Sequence, residues 1–247
     1  MLLQFLGTTG YHPCEARHTA CLMLPEIGVV FDAGTAFFRV RELLATDTLD
    51  IFLTHAHLDH SIGVTYLFDV LLAREMQHVR VHAEAEKIAA IRDHLLNRLL
   101  FPAPPPCEFR PLNGQPLDLP EGGKLTHFPL EHPGGSVGYR IDWPDRSLAY
   151  VTDTTAEVTA EYVKKIRGVD LLVHECYFDD TMVEQAKLTG HSCLTEVCRV
   201  AKKAQVGMLL LTHINPLADG LAPFNLDAAK KIFPEILVAE DGMVVEF

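Results

Sequence analysis

Short apolar runs recur along the whole chain, and they limit what it can fold into more than any other feature. Glycine and proline punctuate them, which is typical of β-strands. In each half the runs first follow one another directly and then alternate with helical patterns. Strands are predicted at 2–6, 20–24, 28–32, 50–53, 108–112, 124–130, 136–142, 147–151, 169–175, 207–211, 236–239 and 243–246. This order predicts an α/β (α+β) fold of two mixed β-sheets that face each other, with helices outside.

The helical patterns lie between these runs, and no linker separates the halves. Helices are predicted at 36–45, 62–74, 84–100, 159–166, 180–188, 193–205 and 225–232. The segment FPAPPP at 101–106 predicts a rigid extended loop, because proline cannot continue a helix or a central strand. We therefore expect a single domain over residues 1–247.

Composition excludes several classes of function. With 48% hydrophobic and 22% charged residues, the chain of 247 residues resembles an ordinary globular protein. No apolar stretch reaches the roughly 18 residues of a membrane span, and no basic segment opens the chain as in a signal peptide, so a cytoplasmic protein without membrane partners is expected. The formal net charge of −12 disfavours non-specific nucleic-acid binding. The six cysteines form no C-x-x-C pair and are expected to be buried thiols.

The segment THAHLDH, directly after the apolar run IFL, carries the strongest chemical signal. His55 and His57 are two residues apart, so on an extended segment both imidazoles point the same way and can bind one metal ion. Asp59 and His60 follow where a helix begins and can bind a second ion. Turns favour Asn, Gly, Asp and Ser rather than three imidazoles, so a metal site is the better interpretation.

Further candidate ligands stand at strand ends downstream. His132, Asp153 and His213 each follow an apolar run, although a lone His or Asp there is more often a turn residue. We assign His55, His57 and His132 to the first metal, Asp59, His60 and His213 to the second, and Asp153 as the bridging carboxylate. Imidazole with carboxylate suits Zn, Mn or Fe(II), and we expect two divalent ions, with zinc favoured. A water between two such ions would lose a proton near neutral pH and become the nucleophile.

Taken together, these segments resemble the metallo-β-lactamase superfamily. THAHLDH, EHPGGSVGYRI, AYVTDTT and LLLTHINP look like its successive metal-binding motifs, and FLGTTG and VVFDAGT sit where that family has its first strands. The resemblance implies a four-layer αββα sandwich with the dinuclear site at one edge. Asp153, rather than a cysteine, as bridging ligand implies a phosphodiesterase or a thioester or lactone hydrolase.

The second half is similar to ribonuclease Z and its smaller relatives. In that family, segments matching LLVHE and TGHS supply a paired glutamate and histidine, which correspond to Glu175 and His191. The resemblance implies that His191 protonates the leaving group while Glu175 orients its ring. The alternative is structural, with Ser192 and Glu196 capping the following helix.

Two departures separate the chain from ribonuclease Z. Between Asp153 and Glu175 there is no room for the long arm that grips tRNA, and DAGTAF replaces the usual acidic turn. With the net charge, this disfavours RNA and favours small or cyclic phosphodiesters. Asp32, at the end of GVVFD, is either an orienting group behind the cluster or a turn residue.

We therefore predict a dinuclear metal-dependent phosphodiesterase. Catalysis is assigned to His191 and Glu175, and Asp59 is the candidate base for the nucleophile's proton. A ribonuclease Z-type endoribonuclease, a lactone or thioester hydrolase, and a metal-bearing binding module remain alternatives. The oligomeric state stays open, with a homodimer among the candidates.

Overall fold

The computed structural model describes residues 1–218 and 223–247, which form two compact units. The first comprises Met1–Asn113 with Asp241–Glu246, and the second comprises Gly114–Glu240 with Phe247. Within the described part of the chain the strands are β1 Leu2–Gly7, β2 Cys21–Leu24, β3 Val29–Phe31, β4 Thr48–Phe52, β5 His78–Ala83, β6 Glu108–Pro111, β7 Leu117–Asp118, β8 Lys124–Leu130, β9 Ser136–Asp142, β10 Ser147–Val151, β11 Leu171–Glu175, β12 Met208–Thr212, β13 Ile236–Val238 and β14 Val244–Glu246. A single domain over 1–247 stays a prediction.

Most of the α-helices are shorter than the helical patterns in the sequence suggest. They are α1 Val40–Leu43, α2 Leu58–Ser61, α3 Leu67–Val70, α4 Ala85–Ala90, α5 Tyr162–Lys165, α6 Val183–Thr189, α7 Leu194–Ala204 and α8 Leu226–Ile232. Short 3₁₀ segments lie at Pro25–Ile27, Thr35–Arg39, Ile62–Tyr66 and Pro120–Gly122, and a short π-helix lies at Ile91–Leu95. Across residues 1–218 and 223–247, no helix is long and apolar enough to cross a membrane.

The first unit is built on a mixed sheet with strand order β14-β1-β2-β3-β4-β5-β6. Strands β14, β1, β2 and β3 pair antiparallel, and β3 to β6 run parallel. Buried side chains of the helical segments, among them Val40, Leu67 and Ile88, pack on the strand residues Ile51 and Val81. The carboxyl ends of β3 and β4 therefore meet at one edge of this sheet.

The second unit repeats this plan in its own sheet, with strand order β13-β12-β11-β10-β9-β8-β7. Strands β7 to β10 pair antiparallel, and β10 to β13 run parallel. Helices α5 and α7 pack on it through buried residues such as Val163 and Val197. Two mixed sheets with flanking helices confirm the predicted fold class.

Two predicted helices end early. The segment predicted at 62–74 is a 3₁₀ turn followed by α3, which ends at Val70, and Ala73 is left-handed with φ of 61°. The segment predicted at 84–100 ends at Leu95, because Leu99 and Leu100 are 89% and 75% exposed and have no core to pack against. Tertiary packing supplies most helical stability, so an apolar pattern without a partner does not form a helix.

A buried polar cluster joins β4 to β5 in the first unit. The Asp50 carboxylate accepts hydrogen bonds from Arg80 Nε at 2.7 Å and Nη2 at 2.6 Å, and lies 2.7 Å from His82 Nε2. Burial acts to raise the pKa of Asp50, but the hydrogen bonds and charges of His82 and Arg80 outweigh it, so this pKa is lowered. The ionised carboxylate therefore stabilises the pairing of the two strands.

Candidate metal centre

The THAHLDH segment forms a cluster of imidazoles at the end of β4. The chain runs extended from 53 to 57, and α2 begins at Leu58. The ring centroids of His55 and His57 are 4.3 Å apart, and His55 lies equally close to His60. His55 is buried whereas His57 is exposed, so the cluster reaches from the interior to the surface of the first unit.

Asp32 orients His60. The His60 Nδ1 atom lies 2.8 Å from Asp32 Oδ2, and both side chains are fully buried. Asp32 Oδ1 accepts from the backbone N–H of Thr54 at 2.8 Å, which fixes the carboxylate itself. With its Nδ1 directed to Asp32, His60 turns Nε2 toward Asp59, whose Oδ2 lies 3.3 Å from it, and Nε2 is the atom that could bind a metal ion. Of the two roles offered for Asp32 by the sequence, the structure supports the orienting one.

The loop after β1 also contacts this cluster. The backbone N–H of Tyr11 donates to Asp59 Oδ2 at 2.7 Å, although the Tyr11 side chain is 76% exposed. Tyr11 has φ of 63°, a left-handed conformation that is unusual for an aromatic residue. The sequence showed no signal for this contact beyond a glycine-containing turn.

In the second unit, candidate functional side chains gather at one edge of the sheet. Asp153 follows β10, Glu175 ends β11 and His213 follows β12, and these three strands run parallel. Asp153 and His213 have φ of 52° and 53°, whereas non-glycine residues rarely adopt this region. Such conformations cost of order 1–3 kcal/mol each and concentrate at functional sites. His132 follows β8.

The Asp153 carboxylate lies between two imidazoles. Its Oδ1 is 3.5 Å from His132 Nε2, and its Oδ2 is 3.4 Å from His213 Nε2 and accepts from Thr152 Oγ1 at 2.6 Å. The side chains of His132, Asp153 and His213 are at most 3% exposed. One carboxylate therefore presents each of its oxygens to a different imidazole nitrogen.

Gly190 fixes the orientation of His132. His132 Nδ1 donates to the Gly190 carbonyl at 3.1 Å, which directs Nε2 toward Asp153. Gly190 has φ of +74°, and a Cβ there would lie 2.6 Å from Pro133 Cδ and 3.1 Å from His132 Nδ1. The sequence analysis missed this contact, although a glycine before the candidate His191 could have suggested a close approach.

The spacing of these donors fits a divalent cation. Two ligands of one tetrahedral zinc ion, each about 2.1 Å from the metal, lie about 3.4 Å apart. The Asp59–His60, His132–Asp153 and His213–Asp153 separations are 3.3, 3.5 and 3.4 Å. They exceed an ordinary N–H···O distance and match this ligand spacing. Each unit therefore carries a carboxylate–imidazole arrangement suited to a metal ion.

Glu175 and His191 form the predicted pair. Glu175 is fully buried, and its Oε1 lies 3.1 Å from His191 Nδ1. The backbone N–H groups of Thr154 and Ser192 donate to Oε1 and Oε2 at 2.8 and 3.1 Å. The His191 ring stacks on Tyr177 with centroids 4.6 Å apart and planes 16° apart. Hydrogen bonds and stacking together fix the imidazole, which is the arrangement expected of a positioned proton donor.

The capping alternative for this segment is wrong. Helix α7 begins at Leu194 with Cys193 as N-cap, and the Cys193 side chain makes no capping hydrogen bond. The Ser192 hydroxyl instead donates to the Thr154 carbonyl at 2.7 Å and accepts from the Ala156 N–H at 2.9 Å. Ser192 thus joins the loop after β10 to the segment that carries His191.

The site geometry also places His191 near the Asp153 group. One ligand atom each from Asp153, His191 and His213 lie within 4.8 Å of one another. His191 is therefore close enough to act on a group bound at Asp153 and His213, or to bind a metal itself. Metal content of a His191 variant separates these roles.

The remaining titratable groups nearby have structural roles. Burial lowers the pKa of His174, whose Nδ1 donates to the Glu175 carbonyl and whose Nε2 lies 2.9 Å from the Tyr162 hydroxyl. Burial, followed by nearby carboxylates including Asp180, raises the pKa of the Cys193 thiol to about 11. A protonated thiol is a poor nucleophile, so cysteine chemistry is not expected here.

Comparison with known proteins identifies the family to which this chain belongs. The chain matches the family described as "Beta-lactamase superfamily domain" over residues 28–214, a range that contains every candidate ligand. Ribonuclease Z of Archaeoglobus fulgidus is 27% identical over 303 aligned positions, covering 99% of this chain and 97% of the relative.

Solved structures show the same fold. The metallo-β-lactamase fold protein YhfI from Bacillus subtilis superposes with a TM-score of 0.83 at 22% identity, covering 99% of each chain. The short form of human tRNase Z gives a TM-score of 0.79 at 22% identity, covering 100% of this chain and 99% of that one. The chain therefore belongs to the β-lactamase superfamily, and it is a metal-dependent hydrolase of the metallo-β-lactamase fold with a His/Asp cluster for divalent metal.

Proposed function

We propose that the protein is a phosphodiesterase that binds two divalent ions, with zinc the favoured metal. In this proposal His55, His57 and His132 bind one ion, Asp59, His60 and His213 bind the other, and Asp153 bridges them. The support is the donor set of each cluster, its ligand spacing, and the family to which the chain belongs.

The buried Glu175–His191 pair is the observation that supports a phosphodiester as the substrate. Two divalent ions held by these residues would supply an activated water and neutralise charge on the phosphoryl oxygens. An alkoxide leaving group still needs a proton, and His191 is positioned to deliver one from Nε2 because Glu175 engages Nδ1. Two backbone N–H groups hold Glu175 in place, so the imidazole keeps its orientation through the reaction. Asp59 is assigned to accept the nucleophile's proton.

Small or cyclic phosphodiesters are the proposed substrates. The alignment with ribonuclease Z extends over 303 positions, more than the 247 residues of this chain, so that relative carries segments absent here. The net charge of −12 also opposes a polyanionic partner. Ribonuclease Z-type cleavage of tRNA precursors is the second candidate, favoured by the similarity to that enzyme over 99% of the chain.

Hydrolysis of bis(p-nitrophenyl) phosphate tests the reaction class. The protein is stripped with EDTA as the blank and reconstituted separately with Zn²⁺ and Mn²⁺, and a thioester is assayed in parallel. Metal-dependent release of nitrophenol supports the phosphodiesterase. Turnover of the thioester alone would instead identify a thioester hydrolase.

Metal analysis tests the ligand assignment. Asp153→Ala should lose the metal pair, because its carboxylate faces both His132 and His213. Asp118→Ala is the control, since that carboxylate is 85% exposed and pairs with Lys124. Two ions bound per chain in the Asp153 variant would contradict the bridging role.

A further inference from the structure

A cavity lies beside His191 in the second unit. Its volume is about 510 Å³, within the range of about 300–1,000 Å³ typical of small-molecule sites. Its walls come from the loop after β10, from α6 and from the start of α7. No role has been assigned to this space in the proposed reaction.

His191 connects the cavity to the proposed chemistry. A proton donor must come within about 2.6–3.2 Å of the atom that it protonates. The leaving oxygen of a substrate must therefore lie beside His191, and the rest of the leaving group must occupy space that opens from that ring. The cavity is lined by His191 itself and provides such space.

The charge of the lining is predominantly negative. Glu157, Asp180 and Glu196 line the cavity, and Lys187 is the one Lys or Arg among the described residues that line it, beside His191. Thr195 holds the Asp180 carboxylate through its backbone N–H at 2.9 Å and its hydroxyl at 2.7 Å. The charge at Asp180 is thus fixed at the cavity wall rather than carried on a mobile side chain.

Other positively charged side chains nearby do not line the cavity. Glu196 pairs with Arg199, but Arg199 does not line the cavity. A neighbouring cavity lined by Lys164 and Lys202 shares only the wall at Val158 and Thr159. Hydroxyl groups and small apolar side chains make up most of the other lining, which suits an uncharged polar group.

We propose that this cavity binds the leaving alcohol of the substrate and selects neutral or cationic alcohols over alcohols that carry a further carboxylate or phosphate. The proposal rests on the phosphodiesterase function proposed above and narrows its substrate class. An anionic leaving group would be repelled by Glu157 and Asp180, whereas an amine would be attracted.

Three diesters of thymidine 5′-phosphate test this selection. Their second alcohols are ethylene glycol, ethanolamine and glycolate, which are similar in size and are neutral, cationic and anionic. The value of kcat/KM is measured for each with the metal-reconstituted protein. The alcohols differ in intrinsic reactivity. The decisive quantity is therefore the kcat/KM of the anionic substrate divided by that of the neutral substrate, compared between each variant and the wild type.

Glu157→Gln and Asp180→Asn should each raise this ratio by about three- to tenfold, the effect of removing one charge several ångströms away near a protein surface. The matched control is Glu161→Gln, which removes an exposed carboxylate that does not line the cavity and should leave the ratio unchanged. The amide of Asp180→Asn retains an oxygen for Thr195, which limits structural damage.

The outcomes separate the two proposals. Turnover of all three diesters with the same ratio in both cavity variants and the control would overturn the leaving-group site and leave the phosphodiesterase intact. An equal rise of the ratio in the control would overturn it too, because the effect would then follow net charge. Absence of turnover of every diester by the metal-loaded wild type would overturn the phosphodiesterase and this inference with it.

Discussion

His191→Ala is the most informative perturbation of the proposed site. The substitution removes the imidazole that lies 3.1 Å from Glu175 Oε1 but leaves the Thr154 and Ser192 N–H groups on that carboxylate. Glu175 therefore keeps two hydrogen bonds, and its loss of one costs about 1–3 kcal/mol of unfolding free energy. We expect a folded variant with somewhat lower thermal stability.

The expected kinetic effect depends on the leaving group. General acid catalysis contributes typically 10²- to 10⁴-fold, which corresponds to about 2.7–5.4 kcal/mol of transition-state stabilisation. A nitrophenolate leaves readily without a proton, whereas an alkoxide does not. Turnover of the ethylene glycol diester of thymidine 5′-phosphate should fall by about 10²- to 10⁴-fold, and turnover of bis(p-nitrophenyl) phosphate by less than about tenfold.

The assay pairs both substrates with metal analysis by mass spectrometry. His78→Ala is the control, because His78 is an exposed histidine at the start of β5. Both ions should remain bound in the His191 variant. An equal loss of turnover on the two substrates would refute proton donation, and loss of metal would show that His191 is a ligand.

Three further perturbations test the supporting residues. Asp32→Asn should weaken metal binding by about 10–100-fold in competition with a chelator, because Asp32 orients His60; unchanged affinity would remove it from the site. Glu175→Gln should lower the unfolding free energy by about 1–3 kcal/mol in urea, since its amide group must face an N–H donor such as that of Ser192; an unaltered midpoint would contradict this. Because the pKa of Asp50 is lowered on folding, its contribution to the unfolding free energy is present above its unfolded pKa near 3.8 and is lost as pH falls through the folded value. Asp50→Asn should therefore flatten the loss of stability of the metal-free protein on acidification. Parallel curves of unfolding free energy against pH for the two proteins would refute this.

The repeating strand pattern was a reliable guide to the fold because its physical basis is local. Alternation of short apolar runs with turn residues is enough to define β-strands, and their order along the chain predicted two mixed sheets, as found. Helix ends were less well predicted. Leu99 and Leu100 continue an apolar pattern in the sequence, but only the packed structure shows that they have no partner.

The sequence by itself identified the candidate residues for the chemistry. THAHLDH concentrates donors within one strand end, and the strand-end positions of His132, Asp153 and His213 follow from the apolar runs before them. Ligand type and local spacing are properties of a short segment, so they can be read without knowledge of the fold.

Only the tertiary structure decided how those residues are oriented. Asp32 contacts His60 across 28 residues, His132 donates to Gly190 across 58, and Ser192 binds the loop at Thr154 across 38. Each contact depends on which strands and loops the fold brings together. No local pattern encodes such a contact, because its free energy arises only when distant segments pack.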